Sequence, residues 1–250
     1  MPPFTRRNFL VNASAGAALA TFATDLLAAE PIPETPVTAS IIPAFTTLHE
    51  PKPLPFNPAK LDGLSEKLIS SHWGNNYTAS VKALNTVKQL LVTALNDANY
   101  PPFAYNGLKR EHLLRTGSVV LHELYFHNLG GSGKPGETVQ KALDDAFGSV
   151  AVWEKEFRRI AAGLSGGSGW VQLGCNLHTG LLENYWQWDH QHSPAATLPV
   201  LVMDMYEHSY QMDYGAAAQG YIDAFFRNIQ WDIVAFRLEK ARQARALAAV

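Results

Sequence analysis

The spacing of apolar positions changes along this chain, and the changes predict its elements. From Leu64 the apolar residues recur three and four apart: Leu64, Leu68 and Ile69, then Val81, Leu84, Val87, Leu91 and Leu95. His72, Trp73, Asn76 and Ser80 fill the same stripe. That pattern predicts one long helix, or two with a break near Gly74, opened by Ser65 as N-cap and closed by Pro101-Pro102. A second helix is predicted from about Lys109 to Phe126, with Leu113, Leu114, Val120, Leu121, Leu124 and Tyr125 on its apolar side. Gly130 to Gly136 forms a loop, but no strand precedes it and the GK[ST] ending is absent, which excludes a phosphate loop.

Beyond that loop, helices are predicted over 138–147 and 150–164. Trp170–Asn176 and Leu181–Trp188 read as strands around a turn at Thr179-Gly180, and Leu198–Met203 reads as a third. A closing helix is predicted over Tyr221–Leu238, with Ile222, Phe225, Phe226, Ile229, Ile233 and Phe236 on one face. The fold class is therefore α+β: an N-terminal helical hairpin, 59–134, packed on a C-terminal α/β domain, 135–250, with a small three-stranded antiparallel sheet.

The first 58 residues differ. Arg6-Arg7-Asn8-Phe9-Leu10, an Ala-rich apolar run to Leu27 and Ala28-Ala29 have the layout of a twin-arginine export signal over 1–29. This predicts export to the periplasm or beyond, with the twin-arginine machinery as a partner. Residues 30–58 are rich in proline and threonine and read as an extended linker. The rest of the composition mainly excludes. A net charge of -2 offers no basic surface for nucleic acid, and the single cysteine, Cys175, allows neither an intrachain disulfide nor a thiolate cluster.

The chemistry lies in Pro199–Tyr214. Asp204 ends an apolar run, and His208 follows four residues later beside Glu207. A carboxylate at a strand end and an imidazole one turn on can converge on one metal ion. His72 and His122, each in an amphipathic segment, are candidates to join them, and three imidazoles with one carboxylate suit iron, manganese or zinc. A metal held this way would join the two halves of the chain.

Several segments in order, AFGSVAVWEKEF, GSGWVQLG, HSPAATLPVLVMDMYEHSYQMDY and GYIDAFFRNIQWDIVAF, resemble the iron/manganese superoxide dismutase family. LSEKLISSHWGNNYTASVKALN and LHELYFHN add to the resemblance, which spans roughly Leu54 to Leu238. It implies His72, His122, Asp204 and His208 as ligands of one manganese or iron ion, with solvent as a fifth ligand. It implies superoxide as substrate, disproportionated by one-electron cycling of the ion. It also implies a homodimer in which Glu207 of one subunit bonds His208 of the other, and a retained Trp170 beside the site. Family members of the manganese type place a glutamine beside the bound solvent. Gln191 falls there in HQHSP, whereas the iron-type position holds Ser118, too short for the task. The resemblance thus favours manganese and leaves iron open.

Departures from the family pattern gather at the substrate entrance. Asn76 and Ser80 stand where the family has histidine and tyrosine, Gln211 replaces a tyrosine, and Asn75 replaces a lysine that helps attract the anion. Tryptophans of the family appear as Val120, Gln172 and Tyr206. This entrance also admits two other readings: a scaffold acting on another small oxidant, or a non-catalytic exported protein clipped by its metal.

Overall fold

The computed structural model describes residues 42–248; the twin-arginine-like segment lies outside the described residues. Ser65 caps α2 (Glu66–Ser71), its hydroxyl accepting from Leu68 N–H at 3.0 Å. The expected break near Gly74 is a π-helical turn, His72–Tyr77, that runs without interruption into α3 (Thr78–Leu95). Thr78 N–H reaches back five residues to the Trp73 carbonyl, the bond that defines the wider turn. Val81, Leu84, Val87 and Leu91 are buried as the periodicity predicts, whereas Leu95 is exposed at the helix end.

Helix α4 (Pro102–His127) starts seven residues before the predicted Lys109, because Pro102 opens it as well as barring the helix before it. Its inward stripe also differs. Val119, His122 and Phe126 are buried, while Leu113 and Val120, expected on the apolar side, are exposed. Short helical turns at α1 (Pro43–Thr46) and Pro58–Lys60 interrupt the segment expected to be wholly extended.

α5 (Glu137–Phe147) and α6 (Val150–Gly163) lead into β1 (Trp170–Asn176), β2 (Leu182–Gln187) and β3 (Thr197–Asp204). The sheet is antiparallel in the order β2-β1-β3, with β1 central. In this register Trp170 pairs with Asp204 on one side and Gln187 on the other. After β3 come a 3-10 turn, Glu207–Ser209, and the short α7 (Gln211–Tyr214).

The closing helix is two helices, α8 (Ala218–Arg227) and α9 (Trp231–Ala248). Long-range hydrogen bonds break it. Asn228 bonds the backbone of Asp62 in both directions, and the Asn228 and Ile229 carbonyls accept from Gly131 and Gly133. The phase restarts after the break, so Val234 and Leu238 are buried and Phe236 is exposed. Asn128 ties α4 to the sheet through the Val202 carbonyl at 2.6 Å, and Arg237 of α9 holds the same asparagine. The described residues belong to one compact unit, and no helix among them is long and apolar enough to cross a membrane.

Candidate metal centre

Four side chains converge where α4, the π-helical turn and the end of β3 meet. The ligand-type atoms of His72, His122, Asp204 and His208 lie within 4.8 Å of one another. Asp204 Oδ2 is the hub: His72, His208 and His122 present Nε2 at 3.1, 3.3 and 3.6 Å from it. His72, His122 and Asp204 are buried, and the His208 side chain keeps a quarter of its surface. Local structure aims each of them. His72 opens the π turn, His122 lies on the inward face of α4, Asp204 ends β3 opposite Trp170, and His208 sits in the 3-10 turn that follows.

Three imidazole nitrogens here lack hydrogen-bond partners. His72 Nε2 and Nδ1 and His122 Nε2 are buried without a hydrogen bond, and the 3.1 Å approach of His72 to Asp204 lacks hydrogen-bond alignment. Each such atom costs roughly 1–3 kcal/mol unless something satisfies it. His122 Nδ1–H donates to the Ser118 carbonyl at 2.7 Å, which leaves its Nε2 as a lone pair facing the hub.

The electrostatics agree. Burial holds the His72 imidazole below its usual range and pushes His122 down to about 3, so both are neutral. Burial opposes ionisation of Asp204, but the His208 and His72 imidazoles beside it outweigh that and keep the carboxyl ionised. Tyr206 N–H adds a bond to Asp204 Oδ1 at 2.8 Å. The buried Asp204 carboxylate faces imidazoles, and no lysine or arginine among the described residues pairs with it. A divalent or trivalent cation fits this donor set.

Behind the carboxylate, Tyr221 Oη–H donates to the Asp204 carbonyl at 2.6 Å; its single proton is thereby used, so Tyr125 Oη–H is the donor across the 3.2 Å to Tyr221. Ser80 and Ser118 share a buried hydroxyl contact at 2.8 Å, with Ser118 Oγ 3.4 Å from His122 Nδ1.

Trp170 is fully buried, its ring 5.1 Å from that of His122. Gln191 turns away: its amide donates to Asp189 at 3.0 Å, and it lines an outer cleft with Glu183, Tyr185 and His192. His190 stands against the cluster instead. Its Nδ1 accepts from Trp170 Nε1–H at 3.0 Å, its ring stacks on Tyr206 at 4.6 Å, and it lies 5.8 Å from His122. The side chain that faces the cluster is thus the one before Gln191, since the turn after β2 sets which residue points inward. Tyr206 in turn stacks on His208 at 5.2 Å. Glu207 is exposed beside His208, Gln211 is exposed on α7, and Asn75 bonds Ser71 at the surface. Gln172 is buried against Gln187 at 2.9 Å.

Residues 135–237 match the family described as iron/manganese superoxide dismutases, C-terminal domain. A protein of Cupriavidus metallidurans named superoxide dismutase [Fe] is 50% identical over 194 residues, covering 78% of this chain and 98% of its own length. One of Aquifex aeolicus with the same name is 34% identical over 194 residues, 75% of this chain and 90% of its own. A superoxide dismutase [Mn/Fe] of Propionibacterium freudenreichii is 28% identical over 207 residues, 80% of this chain and all of its own.

Proposed function

The chain belongs to the iron/manganese superoxide dismutase family, and from that premise we propose that it disproportionates superoxide, two superoxide anions and two protons yielding dioxygen and hydrogen peroxide. The convergence of three imidazoles on the buried Asp204 carboxylate carries the proposal. His72, His122, Asp204 and His208 hold the ion. When bound, iron or manganese supplies the reversible one-electron transfer that zinc lacks.

The protein's part is to set charge and deliver protons. Asp204 contributes the only anionic ligand, and the Ser118 carbonyl keeps His122 in the tautomer that presents Nε2. His190 accepts from Trp170 at Nδ1, so the neutral ring carries its proton on Nε2 and is a donor at the edge of the site. Burial pushes His190 down to about 4, which keeps it neutral near pH 7. Trp170 and Tyr206 wall the cluster from water.

The preference for manganese rested on Gln191, whose amide is engaged by Asp189. The relatives at 50% and 34% identity are named as iron enzymes, and we assign iron as the first metal with manganese as the other occupant. The exposed Glu207 beside His208 fits a homodimer in which it bonds His208 of a second copy. The Arg6-Arg7 segment fits twin-arginine export.

Elemental analysis and superoxide removal, measured on natively exported protein, test the proposal. One iron or manganese per chain with rapid turnover is expected. Zinc alone without turnover would leave the metal a structural clip and overturn it.

A further inference from the structure

Residues 47–53 run across the helical hairpin as a strap, and Lys52 within it touches both ligand-bearing helices. Its backbone N–H donates to Tyr77 Oη at 2.9 Å, and its carbonyl accepts from Trp73 Nε1–H at 2.9 Å. Its ammonium pairs with the Glu123 carboxylate, which also accepts from Tyr77 Oη–H at 3.0 Å. Trp73 follows His72 in the chain and Glu123 follows His122. Both ends of the π turn are thus fastened to the helix that carries His122.

The strap is itself anchored. His49 and Asn85 exchange two hydrogen bonds of 2.9 Å, and the Lys88 ammonium donates to the Thr47 carbonyl. The space between Lys52, Trp73, Tyr77, Glu123 and Phe126 is nearly filled, with a cavity of about 10 Å³. Tyr77 packs 6.4 Å from the His122 ring and 6.1 Å from Phe126.

We infer that Lys52, with Tyr77 and Glu123, is a positioning residue that sets the separation of the His72 and His122 imidazoles, whose ring centres lie 5.0 Å apart. The inference rests on the metal reading above. The ion pair is too exposed to matter much for stability, 60% on the lysine side. Its role is geometric: the π turn departs from the regular hydrogen-bond ladder of the helix, and the strap clips it at Trp73 and Tyr77. Outer partners of metal ligands commonly change metal retention by about 10–100-fold when removed.

The test uses full-length protein loaded with iron or manganese. Lys52→Met and Tyr77→Phe are each expected to raise the rate at which a chelator strips the ion by about tenfold, and to shift the electronic spectrum of the bound ion. Far-UV circular dichroism should stay unchanged, and Lys52→Arg should restore wild-type retention. Wild-type release rates and spectra in both variants would overturn the inference and leave the metal reading intact. Wild-type protein that takes up neither ion would overturn both.

Discussion

Gly117 of α4 and His190 of the loop after β2 meet backbone to backbone. A Cβ added to Gly117 would overlap the His190 carbonyl oxygen and come within 2.9 Å of its carbonyl carbon. Only glycine lets the loop sit this close, and the loop's seat places the His190 ring against Trp170 and Tyr206. Gly117→Ala should therefore push the loop outward, at about 1–3 kcal/mol of stability. Because the four ligands do not touch this contact, metal content should hold while turnover falls by about 100-fold, as expected for an ångström of misplacement. Unchanged turnover in the alanine variant would show that His190 has no part in the reaction.

His122→Ala removes one of the three imidazoles and the tautomer-setting bond to Ser118. Metal and activity should be lost together. Inductively coupled plasma analysis beside an activity assay checks this, and a variant that kept both would refute the ligand set.

Asp204→Asn removes the negative charge at the hub while keeping an oxygen within reach of Tyr206 N–H. The variant should fail to load iron or manganese. Its metal-free form should be less stable than metal-free wild type, since the fold favours the ionised carboxylate and asparagine gives the surrounding imidazoles no charge to stabilise. Urea unfolding of the two apoproteins measures the difference, and a variant as stable as wild type would count against the charge argument.

The apoprotein should lose stability on acidification. Burial depresses His122 to about 3 and His190 to about 4, so between about pH 6.5 and those values the unfolded chain binds protons that the folded chain does not. Stability is full above pH 6.5 and falls as pH drops toward 3, at up to roughly 1.4 kcal/mol per pH unit for each such imidazole. A bound ion should make the fall steeper and later, because its release needs ligands to be protonated. Apoprotein stability that did not change between pH 7 and 5 would contradict the assignment.

Tyr221→Phe deletes the donor to the Asp204 carbonyl and the acceptor for Tyr125. Two buried polar groups lose a partner, and a destabilisation of about 1–3 kcal/mol is expected in thermal unfolding. Metal stoichiometry should persist, because Oδ2 of Asp204 is not touched.

What could be read in advance was set locally. Helix and strand periods, the Ser65 cap and the order of elements follow from neighbours a few residues apart. Asp204 and His208 were legible from their spacing at a strand end, whereas His72 and His122, unremarkable in amphipathic helices, were picked out by the family resemblance. What escaped depends on contacts across the fold. Asn228 sits in a helix-compatible stretch, and only its bonds to Asp62 and those of its neighbours to the glycine loop reveal the break. Lys52 and Glu123 are 71 residues apart. His190 and Gln191 are adjacent, and nothing in a polar turn says which of two neighbours faces inward.

The widened turn at His72–Tyr77 holds one residue more than an α-helix of the same rotation, so it is the place where the hairpin can give up length. Removing one residue between 74 and 76 would let the helix regularise with its two flanks still in phase, and His72 would keep facing Asp204. The same single-codon deletion inside α3 has no such slack, and everything on one side of it would swing by about 100° around the helix axis. That deletion should empty the centre although no residue of the quartet had been altered.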